Sequence, residues 1–321
     1  MHNSIQAKAN VKMITGKKRL FDVKGKHKLF LMALPFLVLV FLFSYLPLYG
    51  WIYAFYNFRP GIPLAQTDFV GLQWFKSIFS NPTQTGEVLR VMRNTIAMSS
   101  LNIAASVLPV IFAIFLSEMR SARFKKSVQI LTTLPNFISW VLVYSFAFML
   151  FSVDNGLVNQ ILINLGLIDL GINFLASDSY TWLKMALWDL WKGLGWGAIL
   201  YMAAIAGIDQ ELYEAAKVDG ASRFRSIWHI TVPGILPTYF VLLLLTIANF
   251  INNGLDQYFV FQNAINKDQI EVLDLYVYNV GMIGSNFSFA TAVSMLKSFI
   301  SVGLLFFANS LSKIVRGESI I

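Results

Sequence analysis

Six stretches of this chain are each apolar over about twenty residues, and that feature constrains its fold more than any other. The first runs from Leu29 to about Phe55. The others lie near 94–117, 130–151, 182–206, 236–254 and 288–311. A bilayer core about 30 Å thick takes about 20 helical residues to cross. Inside lipid, helices satisfy their own backbone hydrogen bonds. Composition agrees: 56% of residues are hydrophobic and 13% charged, against roughly 45–50% and about 25% in ordinary soluble domains. The expectation is an all-α polytopic membrane protein with six transmembrane helices. Pro35, Pro47, Pro109 and Pro135 fall within or beside these stretches, which neighbouring helices make tolerable. The first stretch is longer than a signal-peptide core of about 7–15 residues, and no small-residue cleavage site follows it. It reads as a membrane helix kept in the mature protein.

The distribution of Lys and Arg gives an orientation. With both termini in the cytoplasm, inside segments hold Lys8, Lys12, Lys17, Lys18, Arg19, Lys24, Lys26 and Lys28. They also hold Arg120, Arg123, Lys125, Lys126, Lys217, Arg223, Arg225, Lys313 and Arg316. Outside loops hold Arg59, Lys76, Arg90, Arg93 and Lys267, with most of the acids. This is the positive-inside bias. It accounts for the net charge of +8 without nucleic acid as a partner. The resulting division is a basic cytoplasmic tail over 1–28, a transmembrane domain over 29–312 and a cytoplasmic tail over 313–321.

Several chemistries lack their residues. There are no cysteines, and His2, His27 and His229 are far apart in sequence. No metal site or catalytic residue is expected. No Gly-x-x-x-x-Gly-Lys-Ser/Thr, His-Glu-x-x-His or Gly-x-Ser-x-Gly run occurs. Any energy from ATP must therefore arrive through contact with another protein.

The inside loop over 207–233 reads as two short amphipathic helices. Asp209 can cap the first, and Leu212, Ala215 and Ala216 give it a small apolar face. Asp219-Gly220 ends it, glycine being suited to a left-handed turn. Ser222 can cap the second, where Phe224, Ile227, Trp228 and Ile230 form an apolar stripe. Pro233 is expected to stop it. Such a stripe can lie on lipid headgroups or dock in a partner's groove.

Glu214-Ala215-Ala216, three residues, Gly220, nine residues, Ile230, one residue, Val232-Pro233 resembles the EAA motif of binding-protein-dependent ABC importer permeases. Val232 stands where the motif prefers Leu. Trp188 through Trp196 and Asn155-Gly156-Leu157-Val158-Asn159 resemble the sugar-transporting branch, in particular permeases for polysaccharide fragments. The resemblance covers about residues 25–315. It implies a type I ABC importer transmembrane domain in a bacterial cytoplasmic membrane, importing oligosaccharides. The alternative is a permease for a non-sugar solute such as a peptide or phosphate. The implied partners are a second homologous permease, two ABC ATPase subunits, an extracytoplasmic sugar-binding protein and membrane lipid. ATP and Mg would bind the ATPases, and this chain would hold no cofactor. Glu214, Ala215, Ala216, Asp219, Gly220, Ile230 and Pro233 would couple to the ATPase. Asp154–Asn159 and the 253–287 loop would meet the sugar-binding protein.

The sugar path calls for aromatic faces, amides and intramembrane charges. The candidates are Asn136, Trp140, Tyr144, Trp188, Asp189, Trp191, Lys192, Asn249, Asn252, Asn253 and Lys297. Trp and Tyr also serve as interface anchors. Asp189 and Lys192 are spaced to neutralise each other on one helix face. Lys297 has no acid on its own helix, so it must face a cavity or another helix. Lys192 or Lys297 would attract an acidic sugar such as a uronate. Gly193, Gly195 and Gly197 suit close helix packing.

Overall fold

A computed structural model describes residues 23–316. Lys8, Lys12, Lys17, Lys18 and Arg19 of the basic tail, and the tail beyond Arg316, lie outside the described residues. The chain divides into two units, Met1–Ile52 and Tyr53–Ile321. The first unit contains α1 (Val23–Val40), which runs on through a π turn (Phe41–Tyr45) into a 3-10 stretch (Leu46–Phe55). Its apolar run has a mean hydropathy of 2.6, the signature of a lipid-embedded helix.

The second unit is built of helices and irregular connections, with one isolated bridge between Tyr56 and Phe69 as the only β pairing among the described residues. After α2 (Gln73–Ser80) comes α3 (Pro82–Ala105), capped by the Asn81 side chain, with Pro82 at its first turn. It continues after Ser106 as α4 (Val107–Ser117). The second apolar stretch is thus helical from Pro82, twelve residues before its apolar composition begins. Arg90, Arg93 and Asn94 sit on its polar first turns.

The third stretch departs from the expected straight crossing. α5 (Ala122–Thr133) ends in a 3-10 turn (Leu134–Phe137), and α6 (Trp140–Phe151) leaves at 107°. Pro135 withholds an N–H from the last turn. Ser139 is extended and accepts a hydrogen bond from Leu142 N at 3.4 Å, which starts a new helix instead of prolonging the old one. α7 (Leu157–Asn164) then leads to α8 (Thr181–Ala206).

α8 rises about 39 Å at ~1.5 Å per residue and is the hub of the bundle, packed by α3, α4 and α5. Gly195 permits this: a Cβ there would lie 2.3 Å from the Thr132 carbonyl oxygen of α5. A Cβ at Gly197 would lie 3.3 Å from Pro109 of α4. Gly193 faces open space, so the close-packing role expected of all three glycines belongs to two of them.

α9 (Gln210–Val218) leaves α8 at 70°. α10 (Arg223–Ser226) does not stop at Pro233. It passes through a π turn (Ile227–Thr231) into α11 (Val232–Ala248), which also packs on α8. The second short helix expected in the loop is therefore the first part of the fifth span. Pro233 occupies the second position of α11, and the π turn before it widens the spiral where its ring would otherwise press on the preceding turn.

The fifth span also ends early, at Ala248, where Asn249, Asn252, Asn253 and Gly254 take the chain out of the helix. Three short helices follow: α12 (Asp256–Phe261), α13 (Lys267–Ile270) and α14 (Leu273–Tyr278). A π turn (Asn279–Ile283) then leads to α15 (Phe287–Arg316), which packs along α11. Four helices among the described residues are long and apolar enough to cross a membrane, or six if each bent pair is one span.

Candidate functional site

The arm over 207–233 is built from local hydrogen bonds. Asp209 accepts from Glu211 N at 2.9 Å and caps α9. At the other end, Ala221 N donates to Ala216 O at 2.8 Å and Gly220 N to Lys217 O at 3.1 Å. These two bonds close a Schellman turn, with Gly220 at φ +73°. Ser222 then accepts from Arg225 N at 3.4 Å and starts the next helix. The two limbs are tied together by Tyr213 Oη and Thr231 Oγ1, 2.9 Å apart. Gly234 lets Ile208 approach: a Cβ at Gly234 would lie 2.6 Å from Ile208 Cδ1.

The arm presents an unusual tip. Glu214, Ala215, Asp219 and Gly220 are exposed, with Ala216 and Ile230 half-buried and Pro233 exposed. Val218 is 87% and Phe224 76% exposed. Bare apolar groups on a polar arm suit contact with another surface. The Glu214 carboxylate makes no hydrogen bond or ion pair among the described residues.

The residues expected on the sugar path fall into two groups, with Asp189 outside both. In the first group, Lys192 Nζ donates to Asn136 O at 2.7 Å and stands 5.4 Å from the Trp140 ring centroid. No contact ion pair joins it to Asp189 among the described residues, though the two charges still act on each other through space, as their spacing suggests. A pocket of ≈ 450 Å³ lies here, lined by Ser139, Trp140, Lys192, Asp256 and Phe259 among others. Trp140, Tyr144 and Trp188 pack around Phe261 with centroids 6.4, 5.1 and 5.9 Å away, and Trp191 meets Trp188 at 5.8 Å. All of these rings but Trp191 share a core with Met98, Val143, Met185 and Ile270.

The second group surrounds the unwound end of α11. Asn253 Nδ2 donates to Ser99 Oγ at 2.9 Å, and Asn252 Nδ2 to Ser301 Oγ at 3.3 Å. Asn249 folds back onto Leu245 O at 3.0 Å. Lys297 Nζ forms an ion pair with Asp274, whose other oxygen accepts from Gly254 N at 3.0 Å. Lys297 does face another element, as its lack of a same-helix acid requires. Asp274 neutralises it there, which removes it as a free cation for an acidic sugar. Asp189 is half-buried on α8.

The expected sites do not include a polar lock at the end of the bundle opposite the arm. Arg90 donates to Glu271 at 2.6 Å and pairs with Asp268 at 3.1 Å, while Asn279 donates to Glu271 at 2.7 Å. Asn94 donates to Asp268 O and Glu271 O, each at 3.0 Å. Glu271 is 1% exposed and fully partnered, as a buried charge must be. Tyr276 donates to Glu87 at 2.9 Å, and burial together with that bond pushes its phenol above the ordinary range. The Asn155–Asn159 motif is also internal in part. Asn159 is 1% exposed and exchanges hydrogen bonds of 2.9 Å with the Ile172 backbone. Asp154 and Asn155 stay exposed.

Comparison with known proteins agrees with this architecture. Protein LplB of Bacillus subtilis (strain 168) is 38% identical over 91% of this chain and 90% of its own length. The polygalacturonan/rhamnogalacturonan transport system permease protein YteP of the same organism is 37% identical over 95% and 93%. A crystal structure of a bacterial ABC transporter involved in the import of the acidic polysaccharide alginate superposes with a TM-score of 0.81 at 29% identity. That match covers 92% of this chain and 98% of the other. Residues 105–316, which span the hub helix, the arm and α15, match the family described as binding-protein-dependent transport system inner membrane component, and the chain belongs to that family.

Proposed function

We propose that this chain is one of two permease subunits of an ATP-driven importer of oligosaccharides derived from acidic polysaccharides. The exposed arm carries the proposal. It combines the Glu-Ala-Ala…Gly spacing, a rigid capped helix, and bare apolar groups on an otherwise polar surface. That is the chemistry of a segment that seats in a partner's cleft. The partners are a second homologous permease, two ABC ATPase subunits that bind ATP and Mg, and an extracytoplasmic sugar-binding protein. This chain holds no nucleotide or cofactor of its own. It sits in the bacterial cytoplasmic membrane with both termini and the arm on the cytoplasmic side. Glu214 contacts the ATPase; Ala215 and Ala216 allow close approach; Asp219, Gly220, Ile230 and Pro233 set the arm's shape.

The sugar class has two supports. One relative is named for polygalacturonan and rhamnogalacturonan, and the superposed transporter for the acidic polysaccharide alginate. Lys192 stands over Trp140 beside a pocket and makes no contact ion pair, with Asp189 acting on it only through space, which suits a carboxylated ring stacked on an aromatic face. Asn136, Asn252 and Asn253 supply amides for hydroxyls. ATP-driven closure of the ATPases would draw the two arms of the complex together and swing the helices between inward- and outward-open states.

The test is uptake by the full complex in proteoliposomes with its binding protein, using matched neutral and acidic oligosaccharides. Wild type should carry the acidic set in an ATP-dependent way. Glu214→Ala should abolish transport while the four-subunit complex still assembles. ATP-independent uptake, or uptake of a peptide or phosphate and no saccharide, would sink the proposal.

A further inference from the structure

α4 and the limb that becomes α11 do not close on each other. Between them runs a groove of ≈ 690 Å³ whose walls include Val107, Ile111, Phe115, Ile227, Trp228 and Leu236. Almost every group facing it is apolar. Glu118 and Arg223 stand in the groove and also line a second cavity of ≈ 460 Å³ beneath α9. Half of the second cavity's lining is polar. Its charged side chains are Glu118, Lys125, Lys217 and Arg223, three cations against one acid. None of the four forms an ion pair among the described residues.

An apolar slot that opens into a basic pocket has the form of a phospholipid. The depth also fits. α4 has 11 residues and rises about 16 Å at ~1.5 Å per residue. That is close to half of a hydrocarbon core about 30 Å thick, the depth of one leaflet. Basic pockets between membrane helices recognise anionic headgroups. A protein helix in the slot would account for the apolar walls and leave the excess positive charge unanswered.

We propose that the groove and the adjoining pocket form one site for an anionic phospholipid. An acyl chain lies along α4, and the headgroup phosphate is held by Arg223, Lys125 and Lys217. The site goes beyond the transport reading, and it rests on that reading only in placing the arm at the membrane surface. A lipid there would bridge α4, α5 and both limbs of the arm, filling the gap behind the element that meets the ATPase.

The test uses the assembled complex in detergent, titrated with phosphatidylglycerol carrying brominated acyl chains, which quench nearby tryptophans. The signal is the part of the quenching lost in Trp228→Phe. Phosphatidylglycerol should quench saturably, and phosphatidylcholine with the same chains should need a higher concentration. Arg223→Gln and Lys125→Gln should each weaken binding about fivefold, the effect of about 1 kcal/mol per cation. Arg223→Lys should bind nearly as wild type. Lys76→Gln, with the same loss of charge on the exposed face of α2, should change nothing. Ile111→Phe, which narrows the slot, should weaken the lipid. Equal binding of the two lipids, with no effect of the cations, would mean ordinary annular lipid and overturn the proposal. Displacement of the lipid by inorganic phosphate, indifferent to Ile111→Phe, would assign the pocket to a soluble anion and overturn it too. Trp228-dependent quenching in the isolated chain but none in the complex would show a partner helix in the slot and defeat it as well.

Discussion

Gly220 sits at φ +73°, where a side chain strains the backbone by roughly 1 kcal/mol. No atom lies within 4 Å of a Cβ built there, so the strain would be purely conformational. Gly220→Ala should therefore leave the complex intact and re-angle the arm, and transport should fall more than basal ATP hydrolysis does. Measuring both rates on one preparation checks this. Lys192 and Lys297 look alike in sequence and part company in three dimensions. Lys192→Met should raise KM for acidic oligosaccharides roughly tenfold, the weight of one charged hydrogen bond, and leave neutral ones unchanged. Lys297→Met should instead strand Asp274 and cost about 3–5 kcal/mol of stability. The double change Lys297→Met with Asp274→Leu should recover most of that loss, read from thermal unfolding. Full loss in the double variant would show that the cost comes from losing the acceptor of Gly254 N and not from an unpaired Asp274. The partner of Lys297 is hidden in sequence because it lies 23 residues away on a separate short helix, and Glu271 lies 181 residues from Arg90. No local spacing reports such pairs. The EAA residues are readable because caps and turns act within a few positions.

At the scale of elements, apolar runs locate every span, and polar residues decide where each one begins, bends or ends. Pro135 hints at a break, but the 107° turn also needs Ser139 to cap α6. The apolar Ile251 makes the fifth span look longer in sequence than it is. Asn249, Asn252 and Asn253 outweigh it by offering side-chain bonds that compete with the helix. Pro233 misleads in the other direction: early in a helix its missing N–H costs little. The glycines of α8 give a sharp contrast. Gly195→Ala would drive a methyl into the Thr132 carbonyl of α5, and should abolish assembly or transport. Gly193→Ala, facing open space, should be tolerated. Yield of folded complex on size exclusion separates the two.

At the scale of the whole molecule, the second unit has two unlike ends. One carries the arm and the basic residues around it. The other carries the polar lock between α3 and the 267–279 segment. The absence of cysteine makes their sidedness measurable. A thiol at exposed Val218 (Val218→Cys) should react with an impermeant maleimide only in inside-out vesicles. One at exposed Asn155 (Asn155→Cys) should react only in right-side-out cells. The reverse pattern would invert the topology and remove the coupling role of the arm.

The unbroken run from Arg223 to Ala248 has a mechanical meaning. A joint at Pro233 would let the cytoplasmic limb pivot while the membrane part stood still, and effort applied at the tip would be absorbed there. With no joint, the limb behaves as a crank of one piece. Twist entering near Phe224 is carried along one continuous helical run to Ala248, where the chain leaves the helix beside Asn252, Asn253 and the carboxylate that holds Gly254.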